Sequence, residues 1–216
     1  MAIWDKKFND RIDQDIPLST PLSELNLLVV DTETTGFAVG KDDRLIEIGA
    51  VPITGLKVQD HETYQTYVDP LRDIPENITA LTSISQNDVK HAPKAFEAIE
   101  SLFSQERNHP FHGLVGHYVA FDMQVFKHEL RRSGRKFQEP PFIDTLDLLS
   151  FLVPTWEMKD LAYYASVFET RIYDRHSALG DALTTAYLFC ELCERVMDRG
   201  ITTWGELLQL KSSRVL

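Results

Sequence analysis

The stretch "LLVVDTETTGF", residues 27–37, places two acidic residues directly after a strongly apolar run of the chain. Residues 27–30 are apolar, and Asp31 and Glu33 follow them. Because the side chains of a strand alternate between its two faces, Asp31 and Glu33 are expected to point to the same side. Two carboxylates held close together repel each other, and burial increases that cost. We therefore expect a cation between them.

Length and composition indicate a single globular unit. The 216 residues are enough for one α/β domain with a sizeable core, and 43% hydrophobic with 25% charged residues is ordinary for such a domain. No apolar run approaches the roughly 20 residues of a membrane span, and the N-terminus shows no secretory signal pattern. These features favour a cytoplasmic protein without membrane contact.

The formal net charge of −11 argues against non-specific binding to long nucleic acid, which usually requires a basic surface. A nucleic-acid substrate is still compatible with this charge. Carboxylates that bind divalent cations add to the negative count, and the bound metal reverses the local sign.

The order of predicted elements indicates the fold class. Residues 1–25 are predicted to be an N-terminal extension that precedes the domain or packs on it, and residues 26–216 to be a single domain. A first strand at "LNLLVVDTETT", a second at 44–53 and a third at 62–70 have short connections, so we expect antiparallel pairing. Strands and helices then alternate. This order is typical of an α/β fold with a ribonuclease H-like mixed five-stranded sheet flanked by helices.

Two further acids lie at positions unusual for a solvated surface. Asp122 follows an apolar strand where a helix begins, and the ends of strands in α/β sheets are where sites are built. Asp181 lies among small and apolar residues near the start of a long predicted helix, where an acid can also complement the helix dipole. His176 precedes it by five residues. A histidine there is either a surface or capping residue or, beside an acidic cluster, a general base.

The donor set favours hard cations. Carboxylate oxygens without cysteine suit Mg²⁺ or Mn²⁺ rather than zinc. Four carboxylates suit two ions roughly 3.5–4 Å apart, the arrangement that stabilises the attacking and leaving oxygens in phosphodiester cleavage. The acids at the end of the first strand are therefore predicted to be metal ligands.

Three motifs carry a resemblance to a known family. "DTETTG" at 31–36, "HYVAFD" at 117–122 and "HSALGDA" at 176–182 resemble the exonuclease motifs of the DEDDh family. That family includes the proofreading epsilon subunit of bacterial DNA polymerase III. The resemblance extends from about Leu27 to about Leu192, which is most of the chain, and the three motifs together and in this order are highly specific.

The resemblance implies a 3′→5′ exonuclease domain that uses two divalent metal ions. By position in the motifs, the metal ligands are Asp31, Glu33, Asp122 and Asp181, and His176 is the base that activates water. Asp31 is implied to bridge both ions.

The resemblance also implies substrate-binding positions. Thr34, Thr35 and Gly36 form the turn at which the 3′ end of the substrate approaches the backbone, and glycine provides the conformational freedom for it. Phe37, just after this turn, is a candidate for stacking on a terminal base. The second motif departs from the family, which usually has Asn where this chain has Tyr118. Tyr118 contributes a hydroxyl, a stacking face or only packing.

The leading hypothesis is hydrolysis of single-stranded nucleic acid from its 3′ end, with DNA favoured and 5′-mononucleotides released. An RNA-trimming exonuclease of the same fold is the alternative enzyme. A non-catalytic module is disfavoured by the five matched residues. Association with a polymerase is the remaining alternative, and the short segment after the last motif favours a stand-alone enzyme instead. The sequence does not indicate an oligomeric state.

Overall fold

A six-stranded mixed sheet forms the centre of the computed structural model, which describes residues 12–13, 15–104, 110–153 and 159–210. The strands are β1 (Asn26–Thr34), β2 (Leu45–Thr54), β3 (Lys57–Val58), β4 (Tyr64–Tyr67), β5 (Gly113–Gly116) and β6 (Phe142–Asp144).

The order along the sheet is β3-β2-β1-β5-β6, and β4 also pairs with β2. β1 is antiparallel to β2 and parallel to β5, which in turn is parallel to β6. This arrangement confirms the predicted α/β fold class. The two-residue strand β3, which follows the turn at Gly55, adds a sixth strand to the five that the sequence predicts.

Eight α-helices flank the sheet in the described part of the chain, and a short 3-10 helix, Leu22–Glu24, precedes β1. The α-helices are α1 (Glu76–Thr82), α2 (Gln86–Val89), α3 (Ala95–Ser104), α4 (Val119–Arg132), α5 (Thr145–Leu152), α6 (Leu161–Val167), α7 (Ala178–Met197) and α8 (Trp204–Gln209). None of them combines the length and apolar character that a membrane crossing requires.

The two faces of the sheet carry separate hydrophobic clusters because the side chains of β1 alternate. Leu27 and Val29 face one cluster, which includes the buried apolar residues of α7. Leu28 and Val30 face the other, which includes those of α3 and α4. Continued to the end of β1, the same alternation places Asp31 and Glu33 on the α7 side of the sheet.

The described residues of the predicted N-terminal extension contact the rest of the chain. Leu22 and Leu25 are fully buried in the α7-side cluster. Pro21 forms a bridge with Thr203, just before α8. The boundary between an extension and a domain at residue 25 stays a prediction.

Candidate active site

The register between β1 and β2 sets the base of the candidate site. Asp31 pairs with Gly49 and Glu33 pairs with Glu47. Asp31 and Glu33 are half-buried, whereas Glu47 is buried. The three carboxylates therefore lie near the end of two adjacent strands, which is a dense concentration of negative charge in a partly desolvated place.

Gly49 brings the start of α7 onto the sheet beside Asp31. A Cβ atom at Gly49 would lie 2.2 Å from the backbone carbon of Ala178 and 2.3 Å from the nitrogen of Leu179. The Ala178 N–H donates to Glu47 Oε2 over 2.8 Å, which satisfies one of the free N–H groups at the helix N-terminus. Through these two contacts β2 positions the first turn of α7, which carries Asp181.

Substituting Gly49 with alanine should therefore disturb the fold and the site together. The added methyl group must push the α7 backbone off the sheet, and overpacking of this kind costs about 1–3 kcal/mol of unfolding free energy. Thermal melts of Gly49→Ala should show a Tm several degrees lower than wild type. Gly40→Ala is the matched control, because its Cβ meets only the His128 ring at 3.4 Å. An unchanged Tm for Gly49→Ala would contradict this close packing.

His176 and Asp181 meet Glu33 from the α7 side. His176 has a φ of +60°, and its backbone N–H donates to Asp181 Oδ2 over 3.2 Å. This turn brings ligand atoms of Glu33, His176 and Asp181 within 4.8 Å of one another. Two segments that are distant in sequence, the end of β1 and the turn that leads into α7, thus meet at one place.

Asp122 approaches from the opposite side of β1. It lies in the first turn of α4, is buried, and accepts a hydrogen bond of 2.6 Å from Thr32 Oγ1. Among the described residues, Asp31 and Asp122 do not join the group of mutually close ligand atoms formed by Glu33, His176 and Asp181. The charge of Asp122 is nevertheless near enough to raise the pKa of Asp31.

The carboxylates perturb one another strongly. Burial, followed by the charges of Asp122, Asp181 and Glu33, raises the pKa of Asp31 well above its usual range. Burial and neighbouring acids, led by Asp181, raise the pKa of Glu33 to about 8. Burial raises the pKa of Asp122 to about 7 and also raises that of Asp181. These carboxyl groups therefore stay protonated to a higher pH than usual, unless a nearby positive charge stabilises their ionised form.

The donors fit a divalent cation. Glu33 and Asp181 offer carboxylate oxygens and His176 an imidazole nitrogen, within a span that one ion can bridge. The charges of Asp122 and Asp181 also act on Asp31 and raise its pKa, so a nearby cation would favour the ionised form of Asp31 as well. Carboxylate-rich sets of this kind suit Mg²⁺ or Mn²⁺, whose charge offsets the repulsion that raises these pKa values.

Two residues of the site were not predicted from the sequence. Glu47 is a charged residue near the start of the apolar strand β2, which is itself a signal of a buried role. Arg175 donates from Nη1 to Asp181 Oδ1 and immediately precedes His176. A basic residue in a loop carries no comparable signal, because its partner depends on the conformation of that loop.

The turn after β1 is held by Asp43. Its carboxylate accepts from Thr35 Oγ1 at 3.0 Å and from the Ala38 N–H at 2.8 Å. A Cβ at Gly36 would lie 2.5 Å from Asp43 Oδ2, so the tight turn requires glycine. Thr34 and Thr35 are buried, whereas Phe37 is 89% exposed with its ring edge-on to another phenylalanine. The turn is thus held by hydrogen bonds to Asp43 and presents the aromatic side chain of Phe37 to solvent.

Tyr118 occupies the N-cap position of α4 with a φ of +62°. Its N–H donates to Asp144 Oδ1 over 3.2 Å, its ring packs against that of His117, and its side chain is 39% exposed. Asn tolerates positive φ far better than other residues, which is a physical reason for the Asn usual at this position. Tyr118 adopts the same backbone conformation at a cost, next to the turn that carries Asp122.

Known bacterial proteins are similar to this chain over most of its length. The chain is 33% identical over 200 residues to the PolC-type DNA polymerase III of Caldanaerobacter subterraneus subsp. tengcongensis, covering 91% of this chain and 14% of that protein. It is 32% identical over 212 residues to a DNA polymerase III subunit epsilon-like protein of Rhodobacter capsulatus, covering 96% of this chain and 29% of that protein. The chain therefore spans less than a third of the length of either relative.

A solved structure has the same fold. Exonuclease X in complex with 5′ overhanging duplex DNA superposes with a TM-score of 0.62 at 22% identity, covering 86% of this chain and 99% of that one. The family model described as Exonuclease matches residues 28–189, a range that contains all three motifs. The resemblance noted in the sequence is thereby confirmed, and this chain belongs to the RNase_T exonuclease family.

Proposed function

We propose that this protein is a 3′→5′ exonuclease that removes nucleotides from single-stranded ends, with DNA favoured over RNA. The observation that carries the proposal is that Glu33, from the end of β1, lies within 4.8 Å of His176 and Asp181, from the start of α7 and the turn before it. Membership of the exonuclease family and the DNA bound to the similar solved structure support it. Because the substrate is a nucleic acid, we also propose a cytoplasmic location.

In this proposal the carboxylates of Asp31, Glu33, Asp122 and Asp181 hold two divalent ions, Mg²⁺ or Mn²⁺. When bound, such ions polarise the phosphate and lower the pKa of the attacking water. His176 accepts the proton of that water as its oxygen attacks the terminal phosphorus. The bond from phosphorus to the 3′ oxygen of the preceding nucleotide breaks, its electron pair stays on that oxygen, which takes up a proton from solvent, and a 5′-mononucleotide leaves.

The exposed aromatic side chains and the turn after β1 are proposed to hold the substrate. Thr34, Thr35 and Gly36 let the 3′ end approach the backbone, and Phe37 stacks on a terminal base. Tyr118 provides a second contact, and its backbone strain fits a residue with a role at a functional site. Stacking of this kind tolerates any base, so little sequence preference is expected.

The direction of cleavage tests the proposal. A 5′-labelled oligodeoxynucleotide incubated with the protein and Mn²⁺ should give a ladder of progressively shorter labelled products. Glu33→Gln is the matched control for contaminating nuclease, because it removes a proposed ligand and should abolish the ladder. Immediate release of a labelled mononucleotide would show digestion from the 5′ end and would overturn the proposal.

Two further measurements separate this proposal from its alternatives, an exoribonuclease and a polymerase-associated subunit. Single-stranded RNA degraded faster than DNA of the same sequence would identify an exoribonuclease of the same fold. Retention of the chain by a replicative polymerase in a pull-down would identify a proofreading partner instead of a stand-alone enzyme. We include the pull-down because two relatives are named as a DNA polymerase III and as a polymerase III subunit epsilon-like protein.

A further inference from the structure

Arg175 is a positively charged residue inside the acidic site. Its Nη1 donates to Asp181 Oδ1, and its side chain is only 28% exposed. Its charge also acts beyond that contact, because it lowers the pKa of Asp31, Glu33 and Asp181 against the stronger effect of burial. The guanidinium is therefore a counter-ion for the carboxylates that are proposed to bind metal.

Both oxygens of Asp181 are engaged by donors of the chain itself. Oδ1 accepts from the Arg175 guanidinium, and Oδ2 accepts from the His176 N–H at 3.2 Å. A guanidinium and a metal ion seek the same lone pairs on a carboxylate. A nearby unit charge also repels an incoming divalent cation, more strongly in a partly buried site than in water.

We infer that Arg175 is an intramolecular competitor of the metal, so that the guanidinium and the cation bind Asp181 alternately. This inference rests on the proposed metal site. Arg175 stabilises the fold when metal is scarce, because it offsets the repulsion among the acids. The same contact lowers the affinity for metal, because the guanidinium must leave Asp181 before the cation binds it. Arg175 is thus a positioning residue that tunes metal occupancy.

The substitution Arg175→Gln tests the competition through metal binding and stability, independently of nuclease activity. The variant should bind Mn²⁺ about tenfold more tightly than wild type in a calorimetric titration, which corresponds to about 1.4 kcal/mol. In chelator it should melt at a lower temperature, because repulsion among the acids is no longer offset. The rise in Tm on adding saturating Mn²⁺ should be larger than for wild type.

Two further variants separate competition from general effects. Arg171→Gln removes the same charge four residues earlier, where the side chain is 64% exposed and pairs with Tyr187 and Asp60 outside the site. Its Mn²⁺ affinity should stay close to that of wild type. Arg175→Lys keeps the charge but loses the planar fork, so its affinity should fall between those of wild type and Arg175→Gln.

The direction of the change in affinity is diagnostic. Structural damage to the site would weaken Mn²⁺ binding, whereas loss of a competitor strengthens it. A folded Arg175→Gln variant that binds Mn²⁺ as weakly as wild type, or more weakly, would overturn the inference and leave the metal site intact. Absence of Mn²⁺ binding in wild type and every variant would overturn the proposed metal site together with it.

Discussion

Replacing His176 with alanine is expected to lower kcat by roughly 10²–10⁴, the usual size of a general-base contribution. His176 lies within 4.8 Å of the carboxylates of Glu33 and Asp181, where a water activated for attack would also be held. Single-turnover cleavage of an end-labelled oligodeoxynucleotide would measure the effect on the chemical step. Affinity for Mn²⁺ should change little, because the four carboxylates remain.

The backbone of His176 requires care in designing this experiment. Its φ of +60° is unfavourable for most side chains, so a loss of activity could arise from movement of the loop. His176→Asn keeps a residue that tolerates this conformation and lacks the imidazole, and it should be as inactive as His176→Ala. His91→Ala, at an exposed position, is the control for loss of a histidine elsewhere.

Two outcomes would reassign His176. A kcat within about threefold of wild type would show that another group accepts the proton of water. A large loss of Mn²⁺ affinity in both variants would make His176 a metal ligand, a role that its place beside Glu33 and Asp181 also permits geometrically.

The pattern of apolar and acidic residues was sufficient to predict the fold class and the side of β1 from which Asp31 and Glu33 project. Alternation along β1 places Asp31 and Glu33 on one side, and the transition from β5 to α4 places Asp122 near them. These predictions succeed because strand periodicity and strand order are properties of local sequence. β3 was missed because a two-residue strand has too few side chains to form an alternating pattern.

Contacts that depend on register or loop conformation were not predictable in the same way. Glu47 reaches the N-terminus of α7 only because β2 pairs with β1 in a register that sets it beside Glu33. Arg175 reaches Asp181 through the turn in which His176 adopts a positive φ. Neither feature follows from residue spacing, since each is fixed by packing between distant segments.

The substitution Asp31→Asn should abolish activity and also remove the response of stability to metal. Folding raises the pKa of Asp31, mainly through burial and then through the charges of Asp122, Asp181 and Glu33. An acid with a raised pKa in the folded state favours folding below its unfolded pKa and loses that contribution as the pH rises. Ionised Asp31 therefore opposes folding at alkaline pH in chelator, and asparagine removes this cost while keeping the shape.

The raised pKa values also make the free energy of unfolding of the wild-type protein depend on pH. The pKa of Glu33 is raised to about 8 and that of Asp122 to about 7, so both hold protons in the folded state that the unfolded chain has released. Stability in chelator should consequently fall as the pH rises from about 5 to 8. Protons and cations compete for these oxygens, so the stabilisation by Mn²⁺ should be largest at the alkaline end of that range.

The central claim, that these acids form a metal site, is tested most directly by thermal melts of wild type and Asp31→Asn at pH 8 in chelator and in saturating Mn²⁺. Binding to the folded state alone at one hundred times the dissociation constant gives about 2.7 kcal/mol, and each kcal/mol raises the Tm by roughly 2–4 °C in a chain of this size. Asp198→Asn, at the exposed far end of α7, is the matched control and should respond to metal like wild type.

We expect wild type to melt several degrees higher with Mn²⁺ than in chelator. Asp31→Asn should melt no lower than wild type in chelator and should lose most of that rise. If Asp31→Asn instead melts well below wild type in chelator, Asp31 is a structural residue whose hydrogen bonds hold the end of β1. If its rise with Mn²⁺ equals that of wild type, the metal binds elsewhere, and the assignment of these carboxylates as its ligands is wrong.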